Sequence, residues 1–85
     1  MKKILHLNLF KKYFKQIANG EKKIEYREIK PYWTKRLVGT IYDEVHFRNG
    51  YQKNAPFMRV RFEKLTVSKE YEIHLGKILE IKNYP

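Results

Sequence analysis

Apolar positions along the chain change period several times, and each change marks an element. Ile4, Leu5 and Leu7 read as a short strand. Phe10, Tyr13, Phe14, Ile17 and Ala18 then fall at helical spacing, which gathers them on one face while Lys11, Lys12 and Lys15 point elsewhere. Asn8 has the chemistry to cap this helix. Asn19-Gly20 ends it, because glycine takes the left-handed conformation past a helix C-terminus without steric cost. Lys22 to Glu28 alternate as a strand, with Ile24 and Tyr26 on one face and Lys23, Glu25 and Arg27 on the other. Pro31 suits a first helical position and Gly39 a stop, which predicts a helix of barely two turns over Tyr32 to Val38.

The second half is strand-rich. Ile41, Val45 and Phe47 alternate with Tyr42, Glu44, His46 and Arg48, as in a half-buried strand, and Asn49-Gly50 turns the chain. Tyr51 to Pro56 read as a loop. The following strand has Met58, Val60 and Phe62 inward, but its apolar parity shifts to Leu65 and Val67 after Glu63-Lys64, which predicts a bulge or sharp bend. Tyr71, Ile73 and Leu75 open the last strand, and Gly76 is expected to kink it before Leu79 and Ile81. The pattern predicts an α+β fold in one domain, residues 1–85. Its architecture is a compact, mostly antiparallel β-barrel of five or six strands with two short helices. Closure would remove exposed strand edges. A strand separates the helices, so they do not form a helix-turn-helix.

Composition adds a partner to this picture. Nineteen Lys and Arg against nine Asp and Glu give a formal charge of +10 in 85 residues, accompanied by seven Tyr, five Phe and one Trp. Basic charge interleaved with rings suits nucleic acid, where phosphates meet the cations and bases stack on the rings; charge kept for solubility is the alternative. The chain has no cysteine, which excludes disulfides, zinc-thiolate sites and thiol nucleophiles. Met1 to Leu5 start like a signal peptide, but His6, Asn8, Lys11 and Lys12 interrupt any apolar segment. A cytoplasmic protein without a transmembrane span is expected.

The densest chemistry lies in Gly20-Glu21-Lys22-Lys23-Ile24-Glu25-Tyr26-Arg27, which reads GxKxxExR at a helix-to-strand junction. Lys22, Lys23 and Arg27 supply cations and Glu25 a carboxylate. The economical pairing is Glu25 with Arg27, two residues along on one face, leaving Lys22 free. Strict alternation sets Lys22 on the opposite face from Glu25, so a shared cleft requires an irregular turn after Gly20. The alternative is a solvated strand with a surface ion pair worth about 0–1 kcal/mol. Tyr26, Tyr32, Trp33 and Tyr51 are candidate stacking platforms; a lone Trp33 is more often a core residue, and Tyr51, on a loop after the Asn49-Gly50 turn, is the better candidate. Arg48 and Asn49 are candidate donors to a base edge or phosphate, and Asn49 also suits plain turn geometry. His6, His46 and His74 have no ligand-type spacing, so no metal site is expected. Ser68 lacks the setting of a triad serine, no glycine-rich phosphate loop occurs, and no cofactor is expected.

The helix, the GxKxxExR motif and the following strands resemble the ASCH domain family, a small β-barrel similar to the PUA RNA-binding domain, over nearly the whole chain. Ile29-Lys30-Pro31-Tyr32-Trp33 and Phe47-Arg48-Asn49-Gly50-Tyr51 look like the phage and bacterial single-domain members. The resemblance implies a cleft beside the motif and a role with RNA or nucleosides. Some relatives are ribonucleases and others amidohydrolases acting on acetylated cytidine, which would make Lys22 and Glu25 catalytic. Glu25, however, stands where the nucleoside amidohydrolases carry threonine, and the later helical segment that gives them a glutamate has no obvious counterpart here. Three functions remain in view: an RNA-binding domain using Lys23, Arg27, Tyr26, Trp33, Arg48, Asn49 and Tyr51; a hydrolase in the same cleft; and a protein-binding adaptor.

Overall fold

A computed structural model describes residues 2–84. The N-terminal alternation forms β1 (Ile4–Asn8), with Leu5 and Leu7 inward. Helix α1 (Lys11–Ala18) follows, and it buries Phe14 and Ile17. Ala18 packs partly buried against the core, but the N-terminal part of the apolar stripe does not enter it: Phe10 and Tyr13 remain exposed. Asn8 does not cap this helix. Phe10 occupies the cap position without a side-chain bond, because Asn8 is still in the strand and its Oδ1 accepts the Gly50 N–H at 2.9 Å. At the far end Gly20 adopts φ 79°, and the amides of Glu21 and Lys22 both turn back to the Gln16 carbonyl. This closure delays the next strand, β2 (Ile24–Arg27), beyond Lys22 and Lys23.

Pro31 opens α2 (Pro31–Leu37), whose Leu37 is buried. Strand β3 (Glu44–Arg48) starts later than its alternation suggests. Ile41 lies outside it and is exposed, while Tyr42 folds back to pack its ring against Phe62. The long hairpin β4 (Phe57–Val67) and β5 (Tyr71–Lys82) completes the fold. Its register slips between Arg59 and Val60, between Val60 and Phe62, and between Phe62 and Lys64. Glu63 lacks a partner on β5, and the Gly76-Lys77 pair faces the single residue Arg61. These slips bend the hairpin; they turn Leu65 against the core as the parity change predicts, but Val67, expected inward, is exposed because the core ends before the strand does. Gly76 lies at the bend where the Glu63 side chain crosses, in space a Cβ would occupy.

The strands form one mixed sheet in the order β1-β3-β4-β5-β2. The β1–β3 pairing is parallel and the other three are antiparallel. The sheet curls into a half-barrel around a core of Leu5, Leu7, Phe14, Ile17, Leu37, Val45, Phe47, Met58, Val60 and Ile73. Its free edges, β1 and β2, approach each other at one end: Arg27 Nη2 donates to the Asn8 carbonyl at 3.4 Å. No helix among the described residues is long and apolar enough to cross a membrane.

Among the described residues, Glu44 is the buried charge outside this seam. It accepts from Lys2 Nζ at 2.9 Å and Arg59 Nη1 at 3.3 Å, and lies 3.0 Å from His46 Nε2. The Lys2 hydrogen bond foremost, then the bond with His46 and the Arg59 charge, hold its carboxyl at about 2 instead of 4.5, against the opposing effect of desolvation. A carboxyl lowered in the folded state stabilises fully above its unfolded value, and the contribution is lost as pH falls through the folded one. The stability difference between wild type and Glu44→Gln should therefore shrink as urea unfolding is repeated from pH 5 down to about 2. A difference independent of pH would contradict this assignment.

Candidate functional site

Alternation on β2 is as the sequence predicts, but the inward face is the charged one. Glu25 is 5% exposed, whereas Tyr26 on the other face is exposed. A carboxylate removed from water is tolerated only when paired, and both oxygens of Glu25 are. Lys22 Nζ lies 2.9 Å from Oε1 and Arg27 Nη2 lies 2.7 Å from Oε2. Lys22 is therefore not left free. The irregular segment after Gly20 brings it round to the side of Glu25, three residues away, where a regular strand would have turned it outward.

Aromatic rings hold the same cations. Lys22 Nζ sits 4.4 Å from the centre of the Tyr13 ring and 5.8 Å from that of Tyr26. The Arg27 guanidinium lies 5.0 Å over Trp33. Such contacts fix where the cationic heads point. Arg27 Nε is buried, and among the described residues it has no hydrogen-bond partner.

Two hollows meet at Arg27 and Asn8. The first, about 490 Å³, is lined by Leu9, Phe10, Tyr13, Lys22, Glu25, Tyr26 and Glu70 as well as the shared pair. The second, about 400 Å³, is lined by His6, Tyr32, Trp33, His46, Arg48 and Tyr51 beside them. Trp33 serves both readings made from sequence, packing partly buried against the core while its ring faces this hollow. Tyr32 has Arg36 stacked on its ring at 3.6 Å and Trp33 at its edge. Tyr51 is 84% exposed, and among the described residues no ring or cation covers it.

Lys22, Glu25, Tyr26, Arg27, Trp33, Arg48 and Tyr51 thus line one pair of hollows. Lys23 and Asn49 stand apart. Lys23 is exposed on the flank, where a shallower depression also touches Lys22 and Tyr26. Asn49 directs its amide to the Leu9 carbonyl at 2.9 Å, and with the Gly50–Asn8 bond it staples the turn to the end of β1. Sequence reasoning missed Asn8, Phe10 and Tyr13 as lining residues, and also the histidine pair. Parallel pairing of β1 with β3 sets His6 opposite His46, with ring centres 5.4 Å apart. Among the described residues no group of three His, Asp or Glu side chains is arranged to hold a metal ion.

Comparison with protein-family models, with curated proteins and with solved structures finds no match to this chain.

Glu25→Gln keeps the shape of the side chain but removes the charge that two cations share. Urea unfolding should show a loss of about 3–5 kcal/mol, the scale for breaking a buried pair by removing one partner. A loss below about 0.5 kcal/mol would mean that the cluster behaves as a solvated surface pair.

Proposed function

We propose that the chain is a single-stranded RNA-binding domain of the ASCH and PUA-like type, with the GxKxxExR cleft as its ligand site. The observation that carries the reading is the position of Arg27. One guanidinium spans the seam between the sheet edges, borders both hollows and lies over Trp33. It offers charge to a phosphate at the point where exposed rings on either side offer faces to bases. The formal charge of +10 supplies the long-range attraction. The same bridge favours a barrel closed at this end by a side chain, the PUA-like form of the fold.

Binding accounts for the motif better than hydrolysis does. A general base or nucleophile needs an available lone pair. Lys22 Nζ is held between a carboxylate and a tyrosine ring, and both oxygens of Glu25 are occupied by basic side chains. These residues position charge; they do not form a poised proton-transfer pair. The rings that border the hollows also suit a nucleoside, the smallest ligand of this class.

Labelled single-stranded RNA should bind with a log-log salt slope of roughly −2 to −3.5, corresponding to about three to five neutralised phosphates. Arg27→Ala should weaken binding more than Lys11→Ala, which removes the same charge from the exposed side of α1. Equal losses in folded variants, or wild-type affinity indifferent to salt, would contradict the reading.

Incubation of wild-type protein with RNA and with N4-acetylcytidine should leave both intact. Turnover abolished by Lys22→Ala would replace the binding reading with the hydrolytic one.

A further inference from the structure

Arg48 borders a second concavity besides the aromatic hollow. This is a notch of about 300 Å³ that it lines with Lys53, Ala55, Phe57, Lys82 and Asn83. The sheet register explains how residues so far apart in sequence converge. Asn8 on β1, Arg48 on β3, Phe57 on β4 and Lys82 on β5 stand directly opposite one another in successive pairings. They make a single rung across four strands. Directly opposed residues share a face of the sheet. The adjacent row, Leu7, Phe47 and Met58, is buried in the core, so this rung faces outward. Neighbouring strands lie about 4.8 Å apart, which puts the backbones of Arg48 and Lys82 roughly 10 Å apart with the Phe57 ring between them.

Among the described residues the notch is lined by three cations and no acidic side chain. Lys82 Nζ lies 5.7 Å from the centre of the Phe57 ring, and its acidic neighbour Glu80, at 3.7 Å, has its other oxygen 3.2 Å from Arg59. Arg48 Nη2 donates to the Gln52 carbonyl at 3.3 Å, a neutral acceptor, and among the described residues no carboxylate pairs with it. Lys53 is exposed on the loop after the Asn49-Gly50 turn. Asn83, at φ 56°, donates its amide to the Ala55 carbonyl at 3.4 Å and ties the end of β5 to that loop. Like charges are thereby held together on a braced frame, an arrangement that an anion stabilises.

We propose that this notch is a phosphate subsite that extends the RNA track. A bound strand runs from the motif hollow past Arg27, across the aromatic hollow, past Arg48 and into the notch, where Lys53 and Lys82 neutralise its backbone. The inference rests on the RNA-binding reading and adds to it a direction of travel and two residues outside the motif. Arg27 borders the first and second hollows and Arg48 borders the second and third, so each stands where one nucleotide site passes to the next. Cations and rings then alternate along the path, as a strand with charged links and flat bases requires.

Fluorescence anisotropy with a labelled ten-nucleotide oligouridylate, repeated over a salt series, tests the track. Lys53→Gln/Lys82→Gln is compared with Lys11→Gln/Lys15→Gln, which removes equal charge from the exposed side of α1. Losing two phosphate contacts should reduce the magnitude of the salt slope by about 1.4 in the notch variant and leave it near wild type in the control. Lys53→Glu/Lys82→Glu should weaken binding further. Equal slopes in wild type and both glutamine variants, with wild type still binding, would overturn the notch and leave the cleft reading in place. Wild-type protein that fails to bind the oligonucleotide at low salt would overturn both.

Discussion

A carboxylate turned toward the interior side of an edge strand is the constraint on which this site depends. Glu25 is removed from water at a place where the sheet has no further strand to cover it. The cost of its burial is offset only if both oxygens stay paired. That requirement fixes Lys22 on one side and Arg27 on the other, and the fixed cations then divide the seam into two hollows. Arg27 also reaches the backbone of β1, so the ion cluster joins the two sheet edges as well as organising the cleft.

The rest of the fold supplies the frame for that cluster. Register slips in the β4–β5 hairpin bend the long strands and carry β2, at one edge, round toward β1 at the other. The Leu9 amide donates to the Arg48 carbonyl, Asn49 to the Leu9 carbonyl and Gly50 to Asn8. These bonds lock the end of β1 to the turn that carries Arg48 and leads into Tyr51. On the other flank, a hydrogen bond between Thr34 and Tyr71 ties α2 to β5, holding Tyr32 and Trp33 over the second hollow. Cations and rings from distant parts of the chain therefore sit on braced elements, with Tyr51 on a looser loop tip.

Much of this was legible in the sequence because the signals were local. Helical spacing found α1 and its buried Phe14 and Ile17, Pro31 and Gly39 bracketed α2, and the parity change after Phe62 announced the slipped register. Long-range decisions were not legible. Alternation on β2 separates Glu25 and Arg27 from Ile24 and Tyr26, but charge normally faces water, and only the pairing of Glu25 with two cations reverses that preference. Asn8 has helix-cap chemistry, yet its side chain serves a turn about 40 residues away. Phe10 and Tyr13 continue an apolar stripe and still line a hollow, because the core ends before the helix does. Ile41 fits the period of β3 but precedes its first paired residue. The parallel β1–β3 pairing, which assembles the rung from Asn8 to Lys82, depends on contacts that no window of sequence contains.

The most direct measurement of the central claim is a titration of isotope-labelled protein with single-stranded RNA, followed by amide and indole NMR shifts. A ligand lying along the seam should move the indole signal of Trp33, the backbone signals of Arg27, Arg48, Gly50 and Tyr51, and little on the exposed side of α1 around Lys11 and Lys15. Shifts confined to that helix face, or spread evenly over the basic surface with Trp33 unmoved, would show that the charge binds RNA without the cleft and would contradict the account.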